Sequence, residues 1–250
     1  QAGTPKPEPV VTPSPSSNVS GLTPTTSIPA PTSSQTPSPQ TTTGYTSTNW
    51  SGYLAATGSF TAVSGSWVAT PATGNGSTTS ADATWIGIGG VTTSDLIQVG
   101  TQNIIAANGQ VSTAAFYELL PSVSQPVSGV TVSAGDSMTA SITEISSGQW
   151  TISITDRTDG QSDTFSVSYA SSLSSAEWIE EDPSYSFRRQ IPFDNFHEAA
   201  FTSGSTIDNG VTVTIAASTA QPVTMVNNAN QTVAVPSVIG GDGASFTVTP

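Results

Sequence analysis

The chain has 250 residues and a formal net charge of −13, with no Cys, one His, and four Lys and Arg residues against 17 Asp and Glu residues. The absence of Cys excludes thiol nucleophiles, thiolate metal sites and disulfides, and the negative charge argues against nucleic acid as a partner. With one His and no Gly-x-Ser-x-Gly elbow, zinc chemistry and a Ser-His-Asp triad are disfavoured, and we predict that His197 is a partly buried structural residue.

The first predicted unit, residues 1–43, is a linker or the remnant of a pro-segment. It holds ten of the 18 prolines, otherwise mostly Ser and Thr, and no aromatic residue. Such a segment cannot bury enough apolar surface to offset the entropy of ordering, so we expect a disordered, partly polyproline II spacer. No signal peptide and no apolar run near 18 residues occur, so we expect a processed, secreted chain without a membrane-spanning helix.

The second predicted unit, residues 44–250, has the pattern of an all-β domain. Short alternating runs are separated by Gly, Asn and Asp turns, and no stretch keeps a 3.6-residue period. The steps Asn108-Gly109, Asp159-Gly160 and Asn209-Gly210 favour tight hairpins. We therefore predict an antiparallel β-sandwich of many strands, in which a two-residue hairpin at Asn108-Gly109 would pair Gln98 with Leu119.

Four acidic residues fall within six positions, at Glu177, Glu180, Glu181 and Asp182. On a regular strand Glu177 and Glu181 point the same way, and Trp178 points towards the core; Glu180 points there too, or lies near the strand end where Asp182-Pro183 stops the pairing. Because Cys, His and Lys are almost absent, the chemistry left to the chain is carboxylate acid–base work assisted by amides and hydroxyls. A hard-cation site, such as one for Ca²⁺, also remains open on composition alone.

The low charge content indicates a protein that works in acid. Only 8% of the residues are charged, against about 25% in typical soluble domains. Below about pH 3 most carboxylates are protonated, which leaves few like charges to repel one another and few native salt bridges to lose. A Ser/Thr-rich secreted surface protein without pH adaptation would share this composition, so it stays an alternative.

Several motifs occur in the same order as in a known family, from about residue 45 to the carboxyl terminus. The run Ala176-Glu177-Trp178-Ile179-Glu180-Glu181-Asp182 resembles the AE(W/F)I-x-E-D strand of the glutamic peptidases, also called eqolisins. The other motifs that resemble the family are Asn49-Trp50-Ser51-Gly52-Tyr53, Thr84-Trp85-Ile86-Gly87-Ile88-Gly89-Gly90, Leu96-Ile97-Gln98-Val99-Gly100, Phe116-Tyr117-Glu118-Leu119-Leu120-Pro121, Gly135-Asp136-Ser137-Met138, and Ile191-Pro192-Phe193 followed by Phe196. The lack of Cys differs from the fungal members and indicates a prokaryotic branch.

The resemblance implies a concanavalin-like sandwich of two seven-stranded sheets and a pepstatin-insensitive acid endopeptidase. It also implies a catalytic dyad of one Glu and one Gln, which by motif are Glu181 and Gln98. Ionised Glu181 would take a proton from a water held by the amide oxygen of Gln98, whose NH₂ group would donate to the developing oxyanion. Because an amide partner shares no proton, we expect the pKa of Glu181 to stay near or below ~4.3. If the register slipped by one residue, Glu180 would be the base instead.

The resemblance further implies four substrate-binding residues. Trp50, Trp85 and Phe116 align with aromatic residues that line the family's cleft, although ordinary core packing would explain them equally well. Glu118 aligns with a Glu close to the dyad; the two-residue hairpin would turn it to the opposite face of the sheet, and a bulge would bring it back. Gly89 stands where some members have an Asp, so any tuning of the site by that Asp would be missing.

The function predicted is that of a secreted acid endopeptidase. We expect a monomer that acts on proteins or peptides without a cofactor, a metal ion, nucleic acid or a membrane. One alternative is a carbohydrate-binding or glycoside-hydrolysing β-sandwich; against it, Ile179 occupies the middle acidic position of the E-x-D-x-x-E strand of one glycosidase group. The other is a non-catalytic cell-surface module on a Pro/Thr stalk.

Overall fold

The computed structural model describes residues 44–74, 78–184 and 191–250, and in these ranges the chain is all β. The predicted linker 1–43 lies outside the described residues. No helix in the described part of the chain has the length and apolar character that crossing a membrane requires. The strands, in chain order, are β1 (Tyr45–Ser47), β2 (Trp50–Ala55), β3 (Phe60–Val68), β4 (Ser80–Gly89), β5 (Leu96–Ile105), β6 (Val111–Leu119), β7 (Gln125–Pro126), β8 (Ser137–Ser146), β9 (Gln149–Asp156), β10 (Ser162–Ser168), β11 (Ala176–Glu181), β12 (Ala199–Asp208), β13 (Val211–Thr214), β14 (Gln221–Val226), β15 (Thr232–Pro236) and β16 (Phe246–Thr249).

The strands form two layers joined through β15. The first layer has the order β7-β6-β5-β4-β11-β2-β14, with β1 parallel to β14. The second has the order β10-β9-β8-β3-β12-β16, with β13 beside β12. Strand β15 pairs with both β14 and β16, so hydrogen bonding passes from one layer to the other. Apart from β1, the pairings are antiparallel, and the predicted antiparallel β-sandwich is confirmed.

Side chains from both layers meet in one apolar core. Trp150, Ile152 and Ile154 alternate along β9 and are fully buried, as their spacing predicts. Trp178 of β11 is also fully buried, and its Nε1 donates to the carbonyl oxygen of Ser64 on β3 at 2.9 Å. This bond crosses from the first layer to the second, so Trp178 fixes the position of the acidic strand against the core.

The hairpin between β5 and β6 differs from the prediction by one residue. Its backbone bonds close a three-residue loop at 107–109, in which Gly109 has a φ of +84°. Three-residue loops of this kind place a residue with positive φ at their end, and Gly adopts that conformation without strain. The pairing therefore sets Gln98 opposite Glu118 rather than Leu119. The predicted two-residue hairpin, which would have turned Glu118 away from Gln98, is wrong; one more residue in the loop puts Glu118 on the face of Gln98.

Replacing Gly109 by Ala is expected to lower the free energy of unfolding by about 1 kcal/mol, because an L side chain at this φ is strained. The added Cβ would meet no atom within 4 Å, so strain alone is measured. Gly109→Asn is the matched control, because Asn tolerates the left-handed region better and should lose less. Urea unfolding gives both values; equal losses for Ala and Asn would contradict the account.

Candidate active site

One face of the first layer carries polar side chains from neighbouring strands. Glu181 of β11 pairs with Ala83 of β4, and Gln98 of β5 pairs with both Gly87 of β4 and Glu118 of β6. Directly paired residues share a face, and so do residues an even number of positions apart on one strand. Glu181, Gln98 and Glu118 therefore lie on the same face of the layer.

Both carboxylate oxygens of Glu181 accept a hydrogen bond inside the protein. Asn49 Nδ2 donates to Oε1 at 3.1 Å, and Trp85 Nε1 donates to Oε2 at 2.7 Å. Burial outweighs the effect of these donors, which favour the charged form, and raises the pKa of Glu181 to about 8. The expected pKa near or below ~4.3 is therefore wrong for this structure, because the side chain is closed off from solvent.

The amide of Gln98 is held at its nitrogen and free at its oxygen. Nε2 donates to Glu118 Oε2 at 2.7 Å, whereas the buried Oε1 accepts no hydrogen bond. Buried polar atoms are nearly always paired, so an orphan oxygen on this face is a place for an incoming donor. Burial, reinforced by the charge of Glu181, raises the pKa of Glu118 to about 9, and Glu118 is a neutral acid at low pH.

The three predicted substrate-binding aromatics, Trp50, Trp85 and Phe116, lie on the same face as Glu181. Trp50 and Trp85 meet edge to face, with ring centroids 5.1 Å apart. All three are buried in a second apolar cluster, separate from the core between the layers. Its members are Trp50, Leu54, Ala83, Trp85, Val91, Leu96, Phe116, Leu120, Ile179 and Val223. Trp50 pairs with Glu181 and Trp85 donates to it, so these two rings lie beside its carboxyl group; contact of all three rings with substrate stays a prediction.

Two polar residues near the dyad, Asn49 and Gln102, were given no role in the sequence analysis. Ser47 Oγ donates to Asn49 Oδ1 at 3.1 Å, which leaves Asn49 Nδ2 directed at Glu181; the Asn49-Trp50 motif carried this signal. Gln102 pairs with Ala83, the same residue that pairs with Glu181, and its buried Oε1 has no hydrogen-bond partner. No motif marked Gln102, because only the pairing of β4 with both neighbours shows where it lies.

Glu180, the alternative base, lies on the opposite face of β11. Its side chain is fully buried, and Thr84 Oγ1 donates to its Oε2 at 2.6 Å. Strand β11 pairs without interruption with both β2 and β4, so no slip exchanges Glu180 with Glu181. In the described register it is Glu181 that shares a face with Gln98.

Three carboxylates at turns of the second layer bear on the open question of a cation site. Asp136, Asp156 and Asp159 present oxygens within 4.8 Å of one another. Asp156 Oδ1 accepts the backbone N–H groups of Thr158 and Asp159, and Asp136 Oδ2 accepts that of Ser133. These bonds are turn caps, so local backbone structure accounts for the group.

His197 is exposed, and the prediction that it is partly buried is wrong. It has a φ of +62°, and its backbone N–H points to Asn195 Oδ1 at 3.4 Å. The preceding Phe196 is fully buried instead. The turn directs the apolar ring inwards and the imidazole outwards, so the imidazole is not part of the buried site.

Comparison with known proteins shows which family the chain resembles, independently of the geometry of the site. The sequence profile described as the Peptidase A4 family matches residues 48–249. Scytalidopepsin B of Scytalidium lignicola is 32% identical over 177 residues, which are 67% of this chain and 66% of that protein. Aspergillopepsin-2 of Aspergillus niger is 32% identical over 133 residues, which are 52% of this chain and 47% of that protein. The chain therefore spans between about half and two thirds of these curated relatives.

Solved structures show the same fold. Scytalido-glutamic peptidase with a transition state analog inhibitor matches with a TM-score of 0.70 and 29% identity over 81% of this chain and 98% of that one. SCP-B, of the eqolisin family, in complex with the tripeptide Ala-Ile-His, matches with a TM-score of 0.64 and 26% identity over the same shares. Aspergilloglutamic peptidase from Aspergillus niger gives a TM-score of 0.59 and 27% identity over 68% of this chain and 98% of that one.

Proposed function

The chain belongs to the peptidase A4 family, and from that premise we propose that it is an acid endopeptidase in which Glu181 and Gln98 act together on one water. The observation that carries the proposal is their common face. There a buried carboxyl group held by two N–H donors accompanies a buried amide whose oxygen has no donor. Relatives crystallised with a transition state analog and with a tripeptide support peptides as substrates.

Attack on the peptide bond uses the free oxygen of Gln98. The water donates one hydrogen to Gln98 Oε1 and passes its other proton to the carboxylate of Glu181, while its oxygen bonds to the scissile carbonyl carbon. An amide has two N–H groups, and Glu118 engages one of them. The second N–H donates to the carbonyl oxygen as that oxygen becomes negative. Glu118 thereby fixes which way the amide of Gln98 faces.

Breakdown of the tetrahedral intermediate returns the proton. Protonated Glu181 gives it to the amine nitrogen, the C–N bond breaks, and Glu181 is again a carboxylate. Asn49 and Trp85 donate to the two oxygens of Glu181 and hold the group in one orientation through both steps. A fixed orientation matters because proton transfer requires hydrogen-bonding distance at each stage.

The pKa of Glu181 in the closed site, about 8, is too high for a base in acid. A water and a peptide that enter the site add O–H and N–H donors to the carboxylate. Hydrogen bonds from these donors favour its charged form. We therefore expect the pKa of Glu181 to fall when the site is filled. The indole N–H of Trp85, at 2.7 Å, is the protein's largest contribution in that direction.

We further propose a secreted, monomeric protein that works in an acidic surrounding without a cofactor or metal ion, with residues 1–43 as a linker ahead of the peptidase domain. The low charge content supports the acidic surrounding. So do other buried carboxyls, because burial raises the pKa of Asp182 to about 8 and that of Asp194 to about 9. Membership of a peptidase family favours this function over the carbohydrate and surface-module alternatives.

The test is proteolysis as a function of pH. We expect the chain to cleave casein between about pH 2 and pH 4, where ordinary carboxyl groups titrate, and to do so equally with pepstatin present. New amino termini measure the cleavage. No cleavage at any pH, or cleavage that pepstatin blocks, would contradict the proposal. Release of reducing sugar from polysaccharides under the same conditions would support the glycosidic alternative instead.

A further inference from the structure

Behind the dyad, on the opposite face of β11 and β4, three carboxyl groups lie together inside the protein. Glu180 is on β11, Asp82 is on β4, and Asp194 is on the segment that precedes β12. That segment runs beside the start of β4, where Phe193 pairs with Ala81 and the N–H of Asp194 bonds to the Ala81 carbonyl oxygen at 3.3 Å. Each of the three residues is at most 7% exposed. The cluster therefore joins three separate pieces of chain.

The cluster has more acceptor oxygens than donors. Thr84 Oγ1 donates to Glu180 Oε2 at 2.6 Å, and Thr70 Oγ1 donates to Asp82 Oδ2 at 2.7 Å. Asp82 Oδ1, Glu180 Oε1 and both oxygens of Asp194 have no hydrogen-bond partner. The carboxyl of Asp82 lies within hydrogen-bonding reach of those of Glu180 and Asp194. Because carboxylates only accept, bonds inside the cluster require protons on it.

A chain of neutral donors identifies Asp82 as the acceptor. Thr113 Oγ1 donates to Asn103 Oδ1 at 2.6 Å, and Asn103 Nδ2 donates to Thr70 Oγ1 at 2.9 Å. Thr70 in turn donates to Asp82, so every bond in the chain points towards that carboxyl. Thr84 donates to Glu180 as well, but Asp82 is the carboxyl within hydrogen-bonding reach of both others, so we assign the protons to Glu180 and Asp194. One proton on each would satisfy Asp82 and give both partners a hydrogen bond.

No described cation balances the cluster. Arg157 and His197 are exposed, and Arg188 and Arg189 lie outside the described residues. The further charged group that faces the cluster is Asp182, whose negative charge adds to burial in raising the pKa of Asp194 to about 9. Burial likewise raises the pKa of Asp82, and it raises that of Glu180 well above its usual value. Ionising the cluster would place negative charge between the layers that no cation in the described part of the chain compensates.

We propose that Glu180, Asp82 and Asp194 form an acid latch, which ties the strand that carries Glu181 to β4 and to the segment before β12 only while the cluster holds protons. The latch confines the folded state to acid conditions. It sits directly behind Glu181, so opening it releases the strand on which the catalytic carboxyl is mounted. The latch concerns the fold, and it stands whether or not the proposed chemistry is right.

The direction of the pH dependence follows from linkage. Each proton-holding carboxyl of the latch binds its proton more tightly in the folded chain than in the unfolded chain, where its pKa is near 4. Its stabilising contribution is complete below about pH 4 and is lost as the pH rises towards the raised value. In that window each such group makes the unfolding equilibrium constant rise about ten-fold per pH unit.

Glu180→Gln tests the latch, because Gln carries no charge, can accept from Thr84 and can donate to Asp82. Urea unfolding of the full chain, followed by circular dichroism, gives the unfolding constant between about pH 3 and pH 7. We expect the variant to match the wild type near pH 3. Between about pH 5 and pH 7 its unfolding constant should rise about ten-fold less per pH unit. Equal pH slopes for variant and wild type would overturn the proposal.

Glu198→Gln is the matched control, since it removes an exposed carboxyl close to the same segment; an equal reduction of the slope there would also overturn the latch. Asp194→Asn removes the second proton-holding group and carries the same test if Glu180→Gln does not fold. Casein cleavage is measured in a separate experiment, after the protein has been held at neutral pH. An inactive chain with the altered slope contradicts only the proposed function, and an active chain with an unaltered slope overturns only the latch.

Discussion

Glu181→Gln is expected to reduce peptide cleavage by about 10⁴-fold, because the same carboxyl takes a proton from the water and returns one to the leaving amine. Gln preserves the size of the side chain and can still accept from Asn49 or Trp85. The fold should therefore survive, and the loss should appear in kcat. Activity within ten-fold of the wild type would refute the role of Glu181.

Glu177→Gln is the matched control for that variant. Glu177 is also fully buried on β11, shares the face of Glu181, and has a pKa raised well above its usual value by burial. It lies four residues before Glu181 on β11, where it is in register with Gln98 through Gly87. The Asn49 and Trp85 donors bind Glu181 rather than Glu177, so we expect the loss of Glu177 to leave cleavage nearly unchanged. A large loss there would make Glu177, rather than Glu181, the carboxyl that acts with Gln98.

The Glu181→Gln variant should also become more stable relative to the wild type as the pH rises. The pKa of Glu181 is raised to about 8, so its stabilising contribution is complete below the unfolded pKa of about 4.3 and is lost between there and pH 8. Gln does not ionise, so the variant does not lose this stability as the pH rises. The difference should grow by about 1.4 kcal/mol per pH unit in that window, as measured by urea unfolding.

Gln98→Ala is expected to lower kcat by about 10²–10³-fold, the usual effect of removing one oxyanion donor. It also removes the oxygen that positions the water, and it takes from Glu118 the N–H that Gln98 donates. The double variant with Glu181→Gln should lose little more than Glu181→Gln alone, because groups that act as a unit are not additive. Full additivity in kcat would separate the two residues mechanistically.

Gln102→Ala decides which amide matters. Gln102 lies on the same strand and the same face as Gln98, and it is in register with Glu181 through Ala83 of the intervening strand β4. We expect it to lose much less activity than Gln98→Ala, because among the described residues no carboxyl orients the amide of Gln102, whereas Glu118 orients that of Gln98. The reverse order of losses would assign the water-binding amide to Gln102.

Local sequence was enough to predict how the acidic strand lies in the sheet. Strict alternation sets Glu177 and Glu181 on one face and Trp178 and Glu180 on the other, and the pairings of β11 confirm this. The side that faces the core could be predicted too. The large apolar ring of Trp178 favours burial, and Glu180, which shares its face, is buried with it. The hairpin at Asn209-Gly210 is likewise the two-residue loop that its sequence indicates, with positive φ at both residues.

The same reasoning failed at Asn108-Gly109, where the dipeptide is identical and the loop has three residues. An Asn-Gly dipeptide favours positive φ, but it does not determine how many residues the loop between the two strands contains. Competing registers differ by the burial of whole faces, and only the packed sheet decides between them. Glu118 meets Gln98 because of that one extra residue.

What the sequence by itself determined is the chemistry available to this protein: carboxyls and amides on alternating strands, arranged in motifs that indicate a family and name Glu181 and Gln98. The tertiary structure decided which groups meet, since β11 is far along the chain from the consecutive strands β4, β5 and β6 and becomes their neighbour only by pairing with β4. It also decided their protonation. A carboxyl's pKa depends on the water it loses and the donors it gains, and both depend on how the layers close over it.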